Sequence, residues 1–279
     1  MLLALAAIWG SSFMFIELAL RDLAPSTLIL LRMASGALAL GIYIALRGRS
    51  FAVLRPYLRP LAVLGLVNTA IPFFLIAWGQ QYIDSGLASI FNASAPLFTA
   101  LFAIGYDRSQ RATGSRLAGV VLGFGGVVLL VGFELTGGEK AVAGGLAVVA
   151  ASACYGIGGL YAGRRFNGLP PSLVAFGALC WSTLVVLPVG VAQSSSLGWE
   201  ALLSVLYLGV LATGAAYLLY FGLIAGAGAA KAVLVTYLVP SLALMYGAAF
   251  LDEEITAVAI TGLLLVLAGV ALGTGTVRR

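Results

Sequence analysis

Long apolar runs separated by short polar breaks set the pattern of this chain. Ten runs can be read, at about 2–20, 26–46, 58–78, 85–104, 117–133, 142–162, 172–192, 200–222, 231–250 and 256–276. Each is close to the ~20 residues that a helix needs to cross a hydrocarbon core about 30 Å thick. Backbone groups in lipid must be satisfied within the structure, which leaves helices or closed barrels. Barrel strands would alternate polar and apolar residues over roughly ten positions, and no such alternation is present. The pattern predicts an all-α integral membrane protein with ten transmembrane helices. The breaks are too short to hold a soluble domain. The first run lacks a basic leader and passes into another apolar run, so it reads as a membrane helix and not as a signal peptide.

Composition strengthens this. Of 279 residues, 62% are hydrophobic and 9% charged, against about 25% charged in a soluble domain. Charge placement then gives a topology. With ten spans and a cytoplasmic N-terminus, the inner loops and tail hold Arg47, Arg49, Arg55, Arg59, Arg108, Arg111, Arg116, Arg164, Arg165, Lys231, Arg278 and Arg279. The outer loops hold only Arg21 and Lys140, a strong positive-inside bias. Both termini are therefore expected in the cytoplasm. The basic balance reflects this topology, and no nucleic-acid partner is implied.

The chain also repeats itself. NASAPLFTALFAIGYD, from Asn92, parallels TYLVPSLALMYGAAFLDEE, from Thr236, and their central prolines Pro96 and Pro240 are 144 residues apart. Trp9-Gly10 matches Tyr155-Gly156 at a spacing of 146, and Gly119 and Gly126 match Gly262 and Gly269 at 143. Such drift is what loop trimming after an internal duplication leaves. Residues 1–137 and 138–279 are then two five-helix repeats. Five is odd, so the halves enter the membrane in opposite directions. Inverted repeats of this kind build many secondary transporters, with the substrate site near the midplane.

The prolines bear on that site. A proline leaves the carbonyl four residues earlier without its helical donor. Pro72, Pro96 and Pro240 would free the carbonyls of Asn68, Asn92 and Thr236, all near mid-run. Two readings are open: a lined cavity at one depth, or kinks repaired by neighbouring side chains.

Only Glu17 and Arg32 place a charge well inside a run, where insertion costs roughly 2.5–3.5 kcal/mol. Both lie at similar depth on either side of the turn near Leu23, so they are expected to pair. The pair would be a gate, a group binding the substrate's charged ends, or a structural bridge. Paired with Arg32, Glu17 would stay charged, and Glu17→Gln would impair assembly more than it changes the pH dependence of flux. Their repeat counterparts, Gly163 and Ala178, carry no charge. Trp9, Tyr155, Trp78, Tyr82, Tyr217 and Tyr237 are candidate cavity aromatics that would suit large side chains, although mid-helix aromatics also serve packing. Trp78 and Tyr82 are one turn apart and share a face. Trp199 and Tyr57 read as interfacial. GxxxG spacings at Gly119–Gly123, Gly159–Gly163, Gly222–Gly226 and Gly269–Gly273 read as helix seams.

Chemistry for catalysis is missing from the sequence. There is no histidine, no metal-ligand cluster, no nucleophile elbow and no phosphate loop. Cys154 and Cys180 lie within runs and read as packing residues. No cofactor, metal or obligate protein partner is implied. The expected partners are a small-molecule substrate and the bilayer.

IWGSSF at Ile8, PSTLILLRM at Pro25, the two proline segments and the Gly-rich closing runs together resemble the drug/metabolite transporter superfamily, EamA family. Within it the chain looks most like the YddG-type exporters of amino acids. The similarity covers essentially the whole chain. It implies a basket of helices around a central cavity alternately open to the two sides. Runs 1, 3, 4, 6, 8 and 9 would form the wall, with 5 and 10 supporting from outside. The acidic exit from the fourth run, often Glu in that family, here reads Asp107-Arg108; Asp252-Glu253-Glu254 is closer. The function implied is export of amino acids, aromatic or other large neutral ones included, and similar metabolites across the bacterial inner membrane. A drug or sugar-phosphate carrier of the same fold is the alternative. A phosphate carrier would want several cavity cations, and only Arg32 and Lys231 are placed for it. A non-transporting scaffold or sensor subunit would need a partner-binding domain or tail.

Overall fold

The computed structural model describes residues 1–106, 114–134, 137–193, 197–228, 232 and 234–273. The Asp107-Arg108 exit, together with Arg111, Lys231, Arg278 and Arg279, lies outside the described residues. Every regular element among the described residues is helical. In chain order these are α1 Leu2–Leu20, α2 Pro25–Leu46, α3 Phe51–Gly79, α4 Ser85–Asn92, α5 Ala95–Tyr106, α6 Ser115–Glu134, α7 Glu139–Arg165, α8 Pro171–Ala192, α9 Trp199–Ala227, α10 Val235–Phe250 and α11 Ala257–Gly273. Seven segments are long and apolar enough to cross a membrane, and three shorter apolar helices are Leu117–Phe133, Val235–Phe250 and Ala257–Gly273.

The boundaries follow local chemistry. Pro25 and Pro171 open α2 and α8, where a missing N–H costs nothing and φ is already set. Gly228 ends α9 at φ 87, a conformation that a side chain would resist. Two helices are irregular inside. In α3 a 3₁₀ stretch, Phe51–Tyr57, precedes α geometry, and Leu66–Ala70 widens to a π-helix just before Pro72. In α9 the π-helix is Tyr207–Ala215. Neither was legible in the apolar pattern. π segments are uncommon and concentrate at functional sites.

The helices are apolar on all sides, so the bundle needs both a packed interior and an apolar surround. Leu5, Leu28, Ile29, Phe91 and Leu97 are fully buried, while Leu38, Val128, Leu184 and Leu264 face outward. Packing pairs α6 with α11, α2 with α8, α1 with α10, α3 with α7, α5 with α7, and α2 with α9. The α6–α11 seam is built on glycine: a Cβ on Gly126 would stand 2.8 Å from the Leu265 Cβ and 3.1 Å from the Gly262 carbonyl. Gly119 and Gly269 meet backbone or side chains across the same seam, Gly269 facing the Gly123 backbone, while a Cβ on Gly123 would meet Leu97 of α5. Gly159 and Gly163 have open space instead, so that GxxxG spacing is not a seam within this chain.

Candidate functional site

The site is built around Arg32, two turns into α2 and 7% exposed. Its guanidinium carbon lies 4.1 Å from the ring centroid of Phe73, which α3 presents just after its π segment. Its Nε donates to Thr213 Oγ1 at 3.2 Å. Thr213 in turn donates to the Leu208 carbonyl at 2.8 Å, filling a gap that the π geometry of α9 leaves in the helical ladder. The phenols of Tyr155 on α7 and Tyr217 on α9 lie within electrostatic reach of the same guanidinium. Four helices thus converge on one buried cation.

No carboxylate pairs with it. An ion pair elsewhere, Arg21–Glu200, is at 3.7 Å and largely exposed. The expected Glu17–Arg32 pair is therefore not formed. Equal depth across a hairpin does not place two side chains on facing sides of their helices. Arg32 points toward Phe73 and Thr213, whereas Glu17 points toward Gln80 and the acids Glu253 and Asp84. The structural bridge drawn from the sequence falls with the pair.

The other candidates divide. Trp9 donates from Nε1 to the Ala212 carbonyl at 3.1 Å and lies 5.4 Å from the Tyr220 ring. It therefore flanks the π segment of α9, beside Thr213 of the Arg32 cluster. Tyr217 stacks on Phe221 at 6.0 Å. Trp78 and Tyr82 meet edge-on at 5.1 Å, as their spacing suggested, with Lys140 over the Tyr82 ring at 5.9 Å. They make a separate pair beyond Phe73, where α3 runs out. Asn68 lies against Gly158 of α7. Thr236 and Tyr237 are half-buried on α10.

The prolines act unequally. Pro96 separates α4 from α5, but the Asn92 carbonyl is not left open: Ser152 of α7 donates toward the Phe91 and Asn92 carbonyls at 3.1 and 3.3 Å. A neighbouring hydroxyl repairs the break, against the open-carbonyl reading there. The Asn92 side-chain Oδ1, by contrast, is buried without a donor. Pro240 sits inside a continuous α10, so that helix is not broken.

Several contributors escaped the sequence reading. Phe73, Thr213 and Ser152 are ordinary members of apolar runs and Gln80 lies in the break after the third, and only their neighbours across the bundle give them roles. Glu253 carried a signal, as part of the acidic match to the fourth run's exit. Its carboxylate accepts from the backbone N–H groups of Ser85 and Gly86 at 2.8 and 2.9 Å, capping α4 from the far half of the chain. An anion suits the positive end of a helix. Asp84 beside it is held above the ordinary carboxylate range, first by burial and then by Glu253 and Glu254. Cys154 and Cys180 are free and half-buried.

Comparison with known proteins places these features in a lineage. The EamA-like transporter family matches the chain twice, over residues 1–132 and 142–274. The chain is 23% identical to the uncharacterized transporter YoaV of Bacillus subtilis (strain 168), covering 100% of this chain and 97% of that one. It is 28% identical to a probable terminal-alkyne amino-acid exporter of Streptantibioticus cattleyicolor, over 95% and 89% of the two chains. A solved crystal structure superposes with a TM-score of 0.72 at 22% identity, covering 100% of this chain and 97% of the other, which speaks to fold alone.

Proposed function

This chain belongs to the EamA-like transporter family, and we propose that it exports amino acids, large neutral and aromatic ones included, by alternating access across the bacterial inner membrane. A transporter and not an enzyme, it acts on small molecules within a membrane. The observation that carries the amino-acid reading is Arg32. A desolvated charge costs several kcal/mol unless it is compensated. Phe73 supplies a cation–π contact, worth about 2 kcal/mol when water is excluded, and Thr213 one acceptor, but no side-chain carboxylate pairs with it. A substrate carboxylate would complete the set, since guanidinium donors match carboxylate geometry. Tyr155, Tyr217 and Trp9 would then give aromatic surface for the side chain. The name of the Streptantibioticus relative, an amino-acid exporter, agrees with this choice.

Two half-chains related by an inverted two-fold, residues 1–137 and 138–279, are part of the proposal, with ten membrane segments. The double family match supports it, as does the packing. If segments are counted with α4 and α5 as the fourth, the first packs on the ninth and the sixth on the fourth. Likewise the second packs on the eighth and the seventh on the third, while second and seventh, and fifth and tenth, pair with each other. Shifting by five exchanges the first two pairs with each other and the next two likewise, and returns the last two to themselves. The π segments, one in the third and one in the eighth, obey the same relation.

The test is uptake of a panel of radiolabelled amino acids, amines, drugs and sugar phosphates by vesicles containing the purified protein. Flux of amino acids, competed by other α-carboxylates and not by the matching amines, is expected. Flux of sugar phosphates or of amines alone would reject the reading.

A further inference from the structure

The start of α4 is capped by a distant acid and not by its own. An N-cap residue ordinarily turns its side-chain oxygen onto the N–H of the second or third helical residue. Asp84 has the identity and the extended backbone for this, with φ −59 and ψ 149, yet its side chain makes no capping bond. Glu253 stands in its place. The two Glu253 oxygens accept from the N–H groups of Ser85 and Gly86, at 2.8 and 2.9 Å.

The reach of Glu253 is built into the end of α10. Asp252 lies in the left-handed region at φ 56, and the N–H groups of Leu251 and Glu253 both return to the Gly247 carbonyl, at 2.9 and 3.2 Å. Such a bond closing around a left-handed residue is a helix C-terminal stop. The residue after it, Glu253, is thereby carried across to α4. Glycines let the two helices meet there: a Cβ on Gly86 would stand 2.7 Å from Leu244 Cδ2, and one on Gly247 would run into the Glu253 carboxylate. The contact is nevertheless open to exchange. Asp84 and Glu253 line one shallow surface cleft with Leu87, Leu244 and Glu254. Ser85 Oγ, buried beneath the contact, has no partner. Both acids suit the positive end of a helix, and the Gly86 N–H is within the reach of either kind of cap. When Glu253 withdraws, rotation of the Asp84 side chain re-caps α4, so parting the helices strands no N–H group.

We propose that Glu253 and Asp84 are alternative caps of α4, and that their exchange works a clasp between the two halves of the chain. With Glu253 on α4 this end of the bundle, the outer one under the proposed topology, is shut. With Asp84 in its place α10 is released from α4 and the end opens. The clasp's part in alternating access rests on the transport reading above; the exchange of caps does not. The structure holds the Glu253-capped form.

Pulsed electron paramagnetic resonance tests the clasp without any substrate. Spin labels are attached at Gln81→Cys and Ala257→Cys, exposed positions on either side of the contact, with Cys154 and Cys180 replaced by Ser and the purified protein in lipid vesicles. Glu253→Ala should raise the longer-distance population about 2- to 30-fold, the equivalent of the roughly 0.5–2 kcal/mol that an N-cap is worth. Adding Asp84→Ala should draw the distribution back, because neither form then has a cap. A distribution that Glu253→Ala leaves unchanged, or one that Asp84→Ala does not draw back, overturns the proposal and makes Glu253 a fixed structural cap. If Glu253→Ala does not fold, Glu253→Gln, which keeps one acceptor oxygen of the two, should shift the distribution the same way and decides. In vesicles that exchange amino acids, Asp84→Ala alone should slow exchange by a similar factor. Exchange at the wild-type rate would remove the clasp from transport, whereas absence of flux from every form with the distance shift intact would count against the transport reading alone.

Discussion

Arg32 and Glu17 look alike in the sequence, as lone charges in apolar runs, yet their surroundings separate them. Arg32 is buried under an aromatic face with no side-chain carboxylate paired to it, and under the proposed function it receives the substrate's. Replacing it with Gln should weaken amino-acid binding at least about 30-fold, the equivalent of the roughly 2–5 kcal/mol lost when a buried charge contact is cut. Arg32→Lys should recover little, because Lys lacks the planar fork and stacks poorly; equilibrium binding in detergent, with thermal unfolding as the folding control, checks both. Asp84 allows a second test at this scale. Because its carboxyl is held above the ordinary range by burial, Glu253 and Glu254, the folded state favours its protonated form. Its contribution to stability is then present at low pH and is lost as pH rises, starting near the ordinary aspartate value of about 3.9. Asp84→Asn should remove this part of the pH dependence, so its unfolding temperature should exceed the wild type's more at pH 7 than at pH 4 (roughly either side of that onset). The sequence could place Glu17 and Arg32 at one depth but could not tell which way each pointed, because helix rotation is set by packing partners far along the chain.

The helices themselves were far more legible, since length and apolarity are local properties. The runs at 2–20 and 172–192 nearly coincide with α1 and α8. What escaped were the π segments, which arise where α3 and α9 meet other helices. Gly209 shows why: a Cβ there would stand 2.6 Å from the Arg32 carbonyl, so α2 and the π segment of α9 are in backbone contact. Glycine spacing was a partial guide, because one motif can face a neighbour or face outward. Gly126→Leu should cost about 1–3 kcal/mol or more by overpacking the α6–α11 seam. Gly159→Ala, with nothing within 4 Å, should cost nothing. Unfolding midpoints of the two variants in the same detergent test the contrast; equal losses would mean that Gly159 is covered. Asp252 shows a turn working for another element. At φ 56 it bends the chain back, so that Glu253 donates to the Gly247 carbonyl at 3.2 Å and lays its carboxylate on the start of α4.

At the scale of the whole molecule, one buried cation sits where helices from both ends of the chain meet, and one acidic group ties the two ends together. Under the proposed topology both termini are cytoplasmic, and reporters fused after Arg59 and after Ser196 should report inside and outside respectively. Both on one side would break the ten-segment arrangement and the inverted repeat with it. The proposed duplication rests on offsets that stay nearly constant along the chain, but the site it would frame is not symmetric: Ala178 stands where Arg32 has its counterpart. The most direct measurement of the central claim is entry of radiolabelled amino acids into vesicles preloaded with unlabelled amino acid, comparing the wild-type protein with Arg32→Gln. Exchange by the wild type, lost in a folded Arg32→Gln variant while exchange of any carboxylate-free substrate survives, is the predicted result. Amino-acid exchange that is undiminished without the Arg32 guanidinium would contradict the account.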